Sequence, residues 1–321
     1  MSYVSTHSQN PHTLRPSGLV DTGQLGNLWR AMLRLARTTN LPELREIEYE
    51  ESHDSLFSLS NAGPEVFVSL QHDNYISRSL ARTGSFEFES FERAVALLGG
   101  PRDLLVDVGA NLGTVTIPAI ARGHAEQVLA VEPDRLNYRT LMANLYLDDL
   151  QDRVVVVNAA AGAESGEELE IQISPDNKGD HRVKHFSEPG AFGEENWPTC
   201  TVVSTRVDDL LIHHGLTGAL PRSLIWIDVQ GWELQVLRGA PAAIAGGAAF
   251  VVEFWPYGLR RNGMLDDLEA FLCKHFARLI MVNAPDVPHF PATETGIAAI
   301  RSRLDETNAL SSCDLLLMRD A

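Results

Sequence analysis

The stretch that most constrains this chain is Asp103-Leu104-Leu105-Val106-Asp107-Val108, followed directly by Gly109-Ala110-Asn111-Leu112-Gly113. A short apolar run that ends on a carboxylate and turns through glycines reads as a buried strand of a parallel sheet. Gly109 and Gly113 let the backbone turn tightly and approach a ligand. The helix-like stretch from Thr114 to Arg122 then points its free N–H groups at whatever occupies the turn. About twenty residues further on, a second apolar run, Gln127 to Val131, ends at Glu132, where a carboxylate suits the two hydroxyls of a ribose. The pattern is that of a nucleoside-cofactor site.

The turn also discriminates between nucleosides. A dinucleotide fingerprint carries a middle glycine so that the backbone can touch a pyrophosphate, and Gly-Ala-Asn-Leu-Gly lacks it. Asp107, just before the turn, would repel a pyrophosphate and attract a cation such as the ammonium of a methionine-type tail. The site therefore fits S-adenosylmethionine better than NAD. A nicotinamide enzyme and a ligand-free sheet-to-helix turn remain as alternatives.

Composition narrows the partners. The chain has 321 residues, 44% of them hydrophobic, and no uninterrupted apolar stretch that would span a bilayer. Residues 1–18 are polar and lack the apolar core of a secretion signal, which leads us to expect a cytoplasmic protein. Three scattered cysteines, Cys200, Cys273 and Cys313, form neither a metal spacing nor a disulfide framework. A formal net charge of −17 argues against nucleic acid and for a small neutral or cationic acceptor. Charge and length are compatible with a homo-oligomer.

Along the chain, residues 1–20 lack apolar periodicity and are expected to be disordered. Residues 21–90 read as a small α+β cap and lid, with a helix over Leu25 to Arg37. Strand-like segments Leu56 to Leu59 and Val66 to Val68 flank the turn residues 61–64. The segment 73–87 suits a lid, with Glu87 or Tyr75 facing the cofactor. From residue 91 to 321, strands alternate with helices, the mark of an α/β domain with a parallel sheet. A long polar segment, 174–200, interrupts it and is expected to be functional or disordered.

Several pieces together resemble the FkbM family of methyltransferases: Val-Asp-Val-Gly-Ala-Asn-Leu-Gly (106–113), Val-Glu-Pro (131–133), Asn-Ala-Ala (158–160), Arg-Val-Asp-Asp-Leu (206–210) and Ile-Asp-Val-Gln-Gly-Trp-Glu (227–233). Val-Leu-Arg-Gly-Ala (236–240) and parts of the lid segment match too, so that the resemblance covers about residues 73–255. It implies a Rossmann-like class I fold: a seven-stranded, mostly parallel sheet with helices on both faces and one antiparallel strand near its edge. It also implies S-adenosylmethionine as methyl donor and methylation of a hydroxyl oxygen on a sugar, polyketide or other natural product.

Asp107, Glu132, Asn158, Asp228 and Glu253 are all expected at carboxyl ends of strands, where open α/β sheets bind ligands. Resemblance and geometry together place Asp107, Gly109, Asn111 and Gly113 under the methionine part of the cofactor, with Thr114 as a further cofactor contact. They place Glu132 on the ribose and Ala159 and Ala160 near adenine, with Glu87, Asn158 and Asp228 as further cofactor contacts. Methyl transfer to a hydroxyl benefits from a general base. Asp228 is the first candidate, with a second reading as a cofactor ligand or helix cap. His181, oriented by Asp180, is the next candidate, and Glu253 the third. A divalent metal held by Asp228, Glu253 and His181 is a further arrangement that nothing in the spacing demands. N-methylation of a small amine, and a binding protein that kept the fold without catalysis, remain alternative functions.

Overall fold

The computed structural model describes residues 57–60, 63–70, 73–185 and 189–319. The expected disordered start and the helix expected over Leu25–Arg37 lie outside the described residues. Strands β1 (Phe57–Ser60) and β2 (Phe67–Leu70) pair antiparallel with Phe57 opposite Leu70, the hairpin expected there. Helices α1 (Ile76–Thr83) and α2 (Phe88–Leu97) follow. The Asp73 carboxylate starts α1 by accepting from the N–H groups of Tyr75 and Ile76, and Gly84 stops it in the left-handed conformation.

Next come β3 (Arg102–Val108), α3 (Thr116–Ala121), β4 (Ala125–Val131), α4 (Arg135–Leu147) and β5 (Val154–Val157). A side sheet is then built from β6 (Ala160–Ala161), β7 (Glu168–Gln172), β8 (Arg182–Val183) and β9 (Thr199–Thr205), in the order β6-β9-β7-β8. The chain returns through α5 (Val207–His213), β10 (Ser223–Ile227), α6 (Glu233–Arg238), α7 (Pro241–Ala245) and β11 (Ala249–Phe254). It ends with α8 (Pro256–Arg261), α9 (Leu265–His275), β12 (Arg278–Met281), β13 (His289–Pro291), α10 (Glu294–Arg301) and β14 (Cys313–Met318).

The main sheet has the order β13-β12-β14-β11-β10-β3-β4-β5. The five strands from β5 to β11 run parallel, and β14 lies antiparallel between β11 and β12. This is the expected class I arrangement with one correction: the sheet has eight strands, not seven. The eighth, β13, folds back on β12 with Ile280 opposite His289. Its three residues, His-Phe-Pro, are too few and too polar to show the alternation by which strands are read from sequence. Among the described residues, no helix is long and apolar enough to cross a membrane.

Each face of the sheet carries its own apolar core. On one face Phe67, Ile76, Leu80, Phe88 and Phe91 cluster with Leu105, Ile117, Leu141 and Trp226, so hairpin and first helices share a core with the sheet. Asn144 of α4, 0% exposed, pins this junction. Its Oδ1 accepts from Val68 N–H at 2.7 Å, and its Nδ2 donates to the carbonyls of Val68 and Leu112 at 3.0 and 2.9 Å. Each buried group left without a partner costs about 1–3 kcal/mol. Asn144→Ala should therefore lower unfolding stability by about 3 kcal/mol or more. The check is a urea midpoint that falls at constant slope; an unchanged midpoint would remove Asn144 from this role.

Candidate active site

From β3 the chain proceeds to β4 and β5 on one side, and later to β10 and β11 on the other. The order reverses between β3 and β10, the place where open α/β sheets leave a ligand crevice. Gly109 leaves β3 at that point with φ 87°, and a Cβ on it would stand 1.9 Å from the Asp228 carbonyl oxygen. The ends of β3 and β10 thus meet at backbone contact. Asp228 N–H donates to Val108 O at 3.0 Å, which closes the junction.

Asn111 follows in the left-handed conformation, φ 51°, and its N–H donates to Glu132 Oε2 at 2.8 Å. Glu132 Oε1 accepts from Asp134 N–H at 2.8 Å. One bond on each oxygen fixes the carboxylate and leaves acceptor capacity for hydroxyls. Asn158 Nδ2 donates to the carbonyls of Glu132 and Pro133 at 2.8 and 2.9 Å, holding this strand end from behind. Asp134 caps α4 by accepting from Leu136 and Asn137 N–H.

These elements line a cleft. Of the residues expected there, Gly109, Asn111, Glu132, Ala160, His181 and Asp228 line it. The others stand back from it. Asp107 is buried beneath the floor, accepting from Thr116 Oγ1 at 2.5 Å. Gly113, φ 97°, has no room for a Cβ because Leu141 and Ile117 press on it, so it seats the turn against α4 and α3. Thr114 and Ala159 are buried beside these turns. Tyr75 is 52% exposed on the surface.

Behind Asp228 stands a row of further carboxyls. The pairing of β11 with β14 sets Glu253 opposite Asp314. Gln230, φ 56°, donates Nε2 to Asp228 Oδ1 at 2.7 Å and to Glu253 Oε2 at 3.0 Å. The Glu87 carboxyl is raised first by burial and then by the charges of Asp228 and Asp314. Glu233 Oε1 accepts from Val229 and Gly231 N–H and shapes the turn that carries Gln230. Gln230 and Asp314 had not been read as site residues. Asp314 did leave a trace, as the lone acid in an otherwise apolar strand.

Residues 174–182 are tied down beside the cleft. Lys178 O accepts from Asn111 Nδ2 at 3.2 Å and from Asn137 Nδ2 at 2.8 Å. Asp180 does not orient His181: it takes Arg182 in a two-pronged ion pair at 2.6 and 2.7 Å. The Arg182 guanidinium in turn sits 4.7–4.9 Å from the ring centroids of Phe192, Trp197 and Trp255. His181 instead uses Nδ1 to accept from Ser174 N–H at 3.0 Å. A backbone N–H can only donate, so the neutral ring carries its proton on Nε2. Burial drives the His181 pKa down to about 4, so at neutral pH the ring is a donor rather than a base. Among the described residues, no three His, Cys, Asp or Glu side chains converge in a geometry that would hold a metal ion.

The sequence profile of the methyltransferase FkbM domain matches residues 107–276, from Asp107 at the end of β3 to Phe276 after α9. The chain belongs to this family. No curated protein matches it. Among solved structures it is similar to methyltransferase FkbM from Methylobacillus flagellatus KT, at 18% identity and TM-score 0.39, over 76% of this chain and 48% of that one. It thus spans about half the length of that relative. It is also similar to Pyrococcus horikoshii TYW2 in complex with MeSAdo, at 14% identity, TM-score 0.35, and 83% and 72% coverage. A third is M. capricolum TrmK with S-adenosylhomocysteine, at 9% identity, TM-score 0.38, and 73% and 69% coverage.

In this FkbM-family chain, burial is the first cause that raises the site carboxyls. It holds Asp228 at about 6, Asp107, Glu233 and Asp314 at about 7, and Glu132 and Glu87 at about 8. Glu253 is pushed well above the usual range by burial and by the Asp228 charge. An acid whose folded pKa exceeds its unfolded value keeps a proton in the folded state that the unfolded chain has lost. Stability from these groups is therefore present at low pH and declines as pH rises toward about 8. The melting temperature of the ligand-free protein should be higher at pH 5.5 than at pH 8.5. The reverse order in a thermal scan would contradict the clustering of protonated carboxyls.

Proposed function

We propose that the chain is an S-adenosylmethionine-dependent O-methyltransferase acting on a hydroxyl of a small molecule such as a sugar, polyketide or other natural product. The observation that carries this reading is a pair of carboxylates across one cleft. Glu132 is pinned by two backbone N–H groups and poised for ribose hydroxyls, and Asp228 is raised to about 6 at the strand switch point. The fit to the cofactor rests on this chain's own donor set: a ribose-type carboxylate, unpaired buried polar atoms on residues that line the cleft, and the Asp228 carboxylate. When bound, S-adenosylmethionine supplies an electrophilic methyl group on a positively charged sulfur.

The protein's part is alignment and proton removal. Glu132 and Asn111 would hold the nucleoside end, and Asp228 would accept the proton that the acceptor hydroxyl gives up when the methyl group passes to its oxygen and the S–C electron pair stays with the sulfur. Gln230 Nε2 donates to Asp228 Oδ1 and fixes the orientation of that carboxyl. The net charge of −17 supports a small acceptor over a polyphosphate one. Residues 21–90 precede the family match and suit the choice of acceptor. A second reading, N-methylation of a small amine, is favoured by the bowl of carboxylates, which would hold a cationic acceptor.

Calorimetric titration with S-adenosylhomocysteine tests the class. Micromolar binding is expected, and absence of binding would sink the reading. Methyl incorporation from labelled donor into hydroxylated small molecules, but not into amines or bulk tRNA, would then separate the acceptor classes.

A further inference from the structure

Nine buried side-chain atoms among the described residues have no hydrogen-bond partner, and four of them belong to residues that line the cleft: Asn111 Oδ1, Asn137 Oδ1, His181 Nε2 and Trp232 Nε1. Unpaired polar atoms are costly when dry, so their concentration here marks a ligand's place. The identity of each follows from its neighbours. Asn111 and Asn137 both spend Nδ2 on the Lys178 carbonyl, which cannot donate, so each free end is an acceptor oxygen. His181 spends Nδ1 on Ser174 N–H, so its free end is a donor. The Trp232 indole N–H is always a donor. The cleft thus offers two acceptors and two donors.

The walls add a second constraint. Pro133, Ala160, Ala161, Ile171 and Val183 give this end of the cleft an apolar lining, in contrast to the carboxylates around Asp228. Apolar walls with a mixed donor and acceptor edge suit a flat, neutral heterocycle. A phosphate has no donor to offer, and a sugar ring has no flat apolar face of this kind. Adenine has both: ring nitrogens that accept and an exocyclic amine that donates.

Building on the proposal that S-adenosylmethionine occupies the cleft, we propose that His181 and Asn137 read the edge of its adenine. His181 Nε2–H donates to a ring nitrogen, and Asn137 Oδ1 accepts from the exocyclic amine. Base recognition then lies with the segment that joins β7 to β8 and with α4, rather than with the small residues after β5. His181 is a positioning and specificity residue, not the base of the reaction.

The test is calorimetry of the full chain with S-adenosylhomocysteine and its 1-deaza, 3-deaza and 7-deaza analogues, each of which replaces one ring nitrogen by C–H. One analogue should bind the unsubstituted chain about tenfold more weakly than the parent, the loss of a single hydrogen bond. His181→Asn can still accept from Ser174 N–H but lacks the Nε2 donor. It should bind the parent about tenfold more weakly, with no further loss for that same analogue. Equal affinity of the unsubstituted chain for parent and all three analogues would overturn the proposal, whether or not the variant folds. So would a folded His181→Asn that binds the parent normally. No binding of the parent by the unsubstituted chain would sink the cofactor reading itself, and this proposal with it.

Discussion

Asp228→Asn should reduce turnover by about 10²–10⁴-fold while leaving affinity for S-adenosylhomocysteine within a few-fold. The substitution keeps the shape of the side chain and leaves Oδ1 free to accept from Gln230 Nε2. What it removes is the capacity to take a proton. Burial, acting against the Gln230 hydrogen bond, holds the native carboxyl at about 6. A base works in its deprotonated form, so kcat/KM of the native enzyme should rise with pH through about 6 and then level. The variant should lose this limb along with the rate. If turnover were unchanged, Asp228 would have no part in the chemistry. A raised KM for the methyl donor at constant kcat would make it a cofactor ligand alone.

The largest structural effect is expected at Gly109. Gly109→Ala combines a left-handed backbone, φ 87°, with a Cβ 1.9 Å from the Asp228 carbonyl oxygen, a backbone atom that cannot swing aside. Strain and overpacking together should cost about 2–6 kcal/mol, a drop of roughly 10 °C in melting temperature, and parting the two strand ends should abolish cofactor binding. Gly123 supplies the control, since it shares a positive φ of 73° but has nothing within 4 Å of the added Cβ. Gly123→Ala should pay only the backbone strain. Equal losses at the two positions would show that contact with Asp228 is not what Gly109 protects.

The central strands were legible because each is a short apolar run that stops at a turn residue, as in 103–113 and 224–228. The capping of α4 by Asp134 and the stop of α6 at Gly239 could be read for the same local reason. α10 carries little signal of its own: its Gly-Ile-Ala-Ala-Ile stretch is short, and only Thr293, whose side chain caps it, announces a start. α8 carries a similar small cue, Pro256 in its first turn. At the site, Glu132 and Asp228 could be named because they end strands. The roles of His181 and Asn137 could not be, since they depend on Ser174 N–H and the Lys178 carbonyl, and nothing in the order of residues announces those contacts. Gln230 sits within a recognised motif, yet its bridge from Asp228 to Glu253 exists only once β10 and β11 lie side by side.

On the proposed reading, the bowl of buried carboxyls around Asp228 would couple the methyl donor to the solution's protons. Groups held at about 6 to 8 are partly protonated near neutrality, and a sulfonium among them favours their charged forms. Loading the donor therefore expels protons to the buffer. Once the methyl group has gone, the sulfur is an uncharged thioether, the bowl takes protons back, and the spent molecule keeps only the charges of its methionine tail. Donor uptake should weaken as the medium is acidified, whereas the spent form should be nearly indifferent to it, so alkaline conditions favour exchange of used for fresh donor.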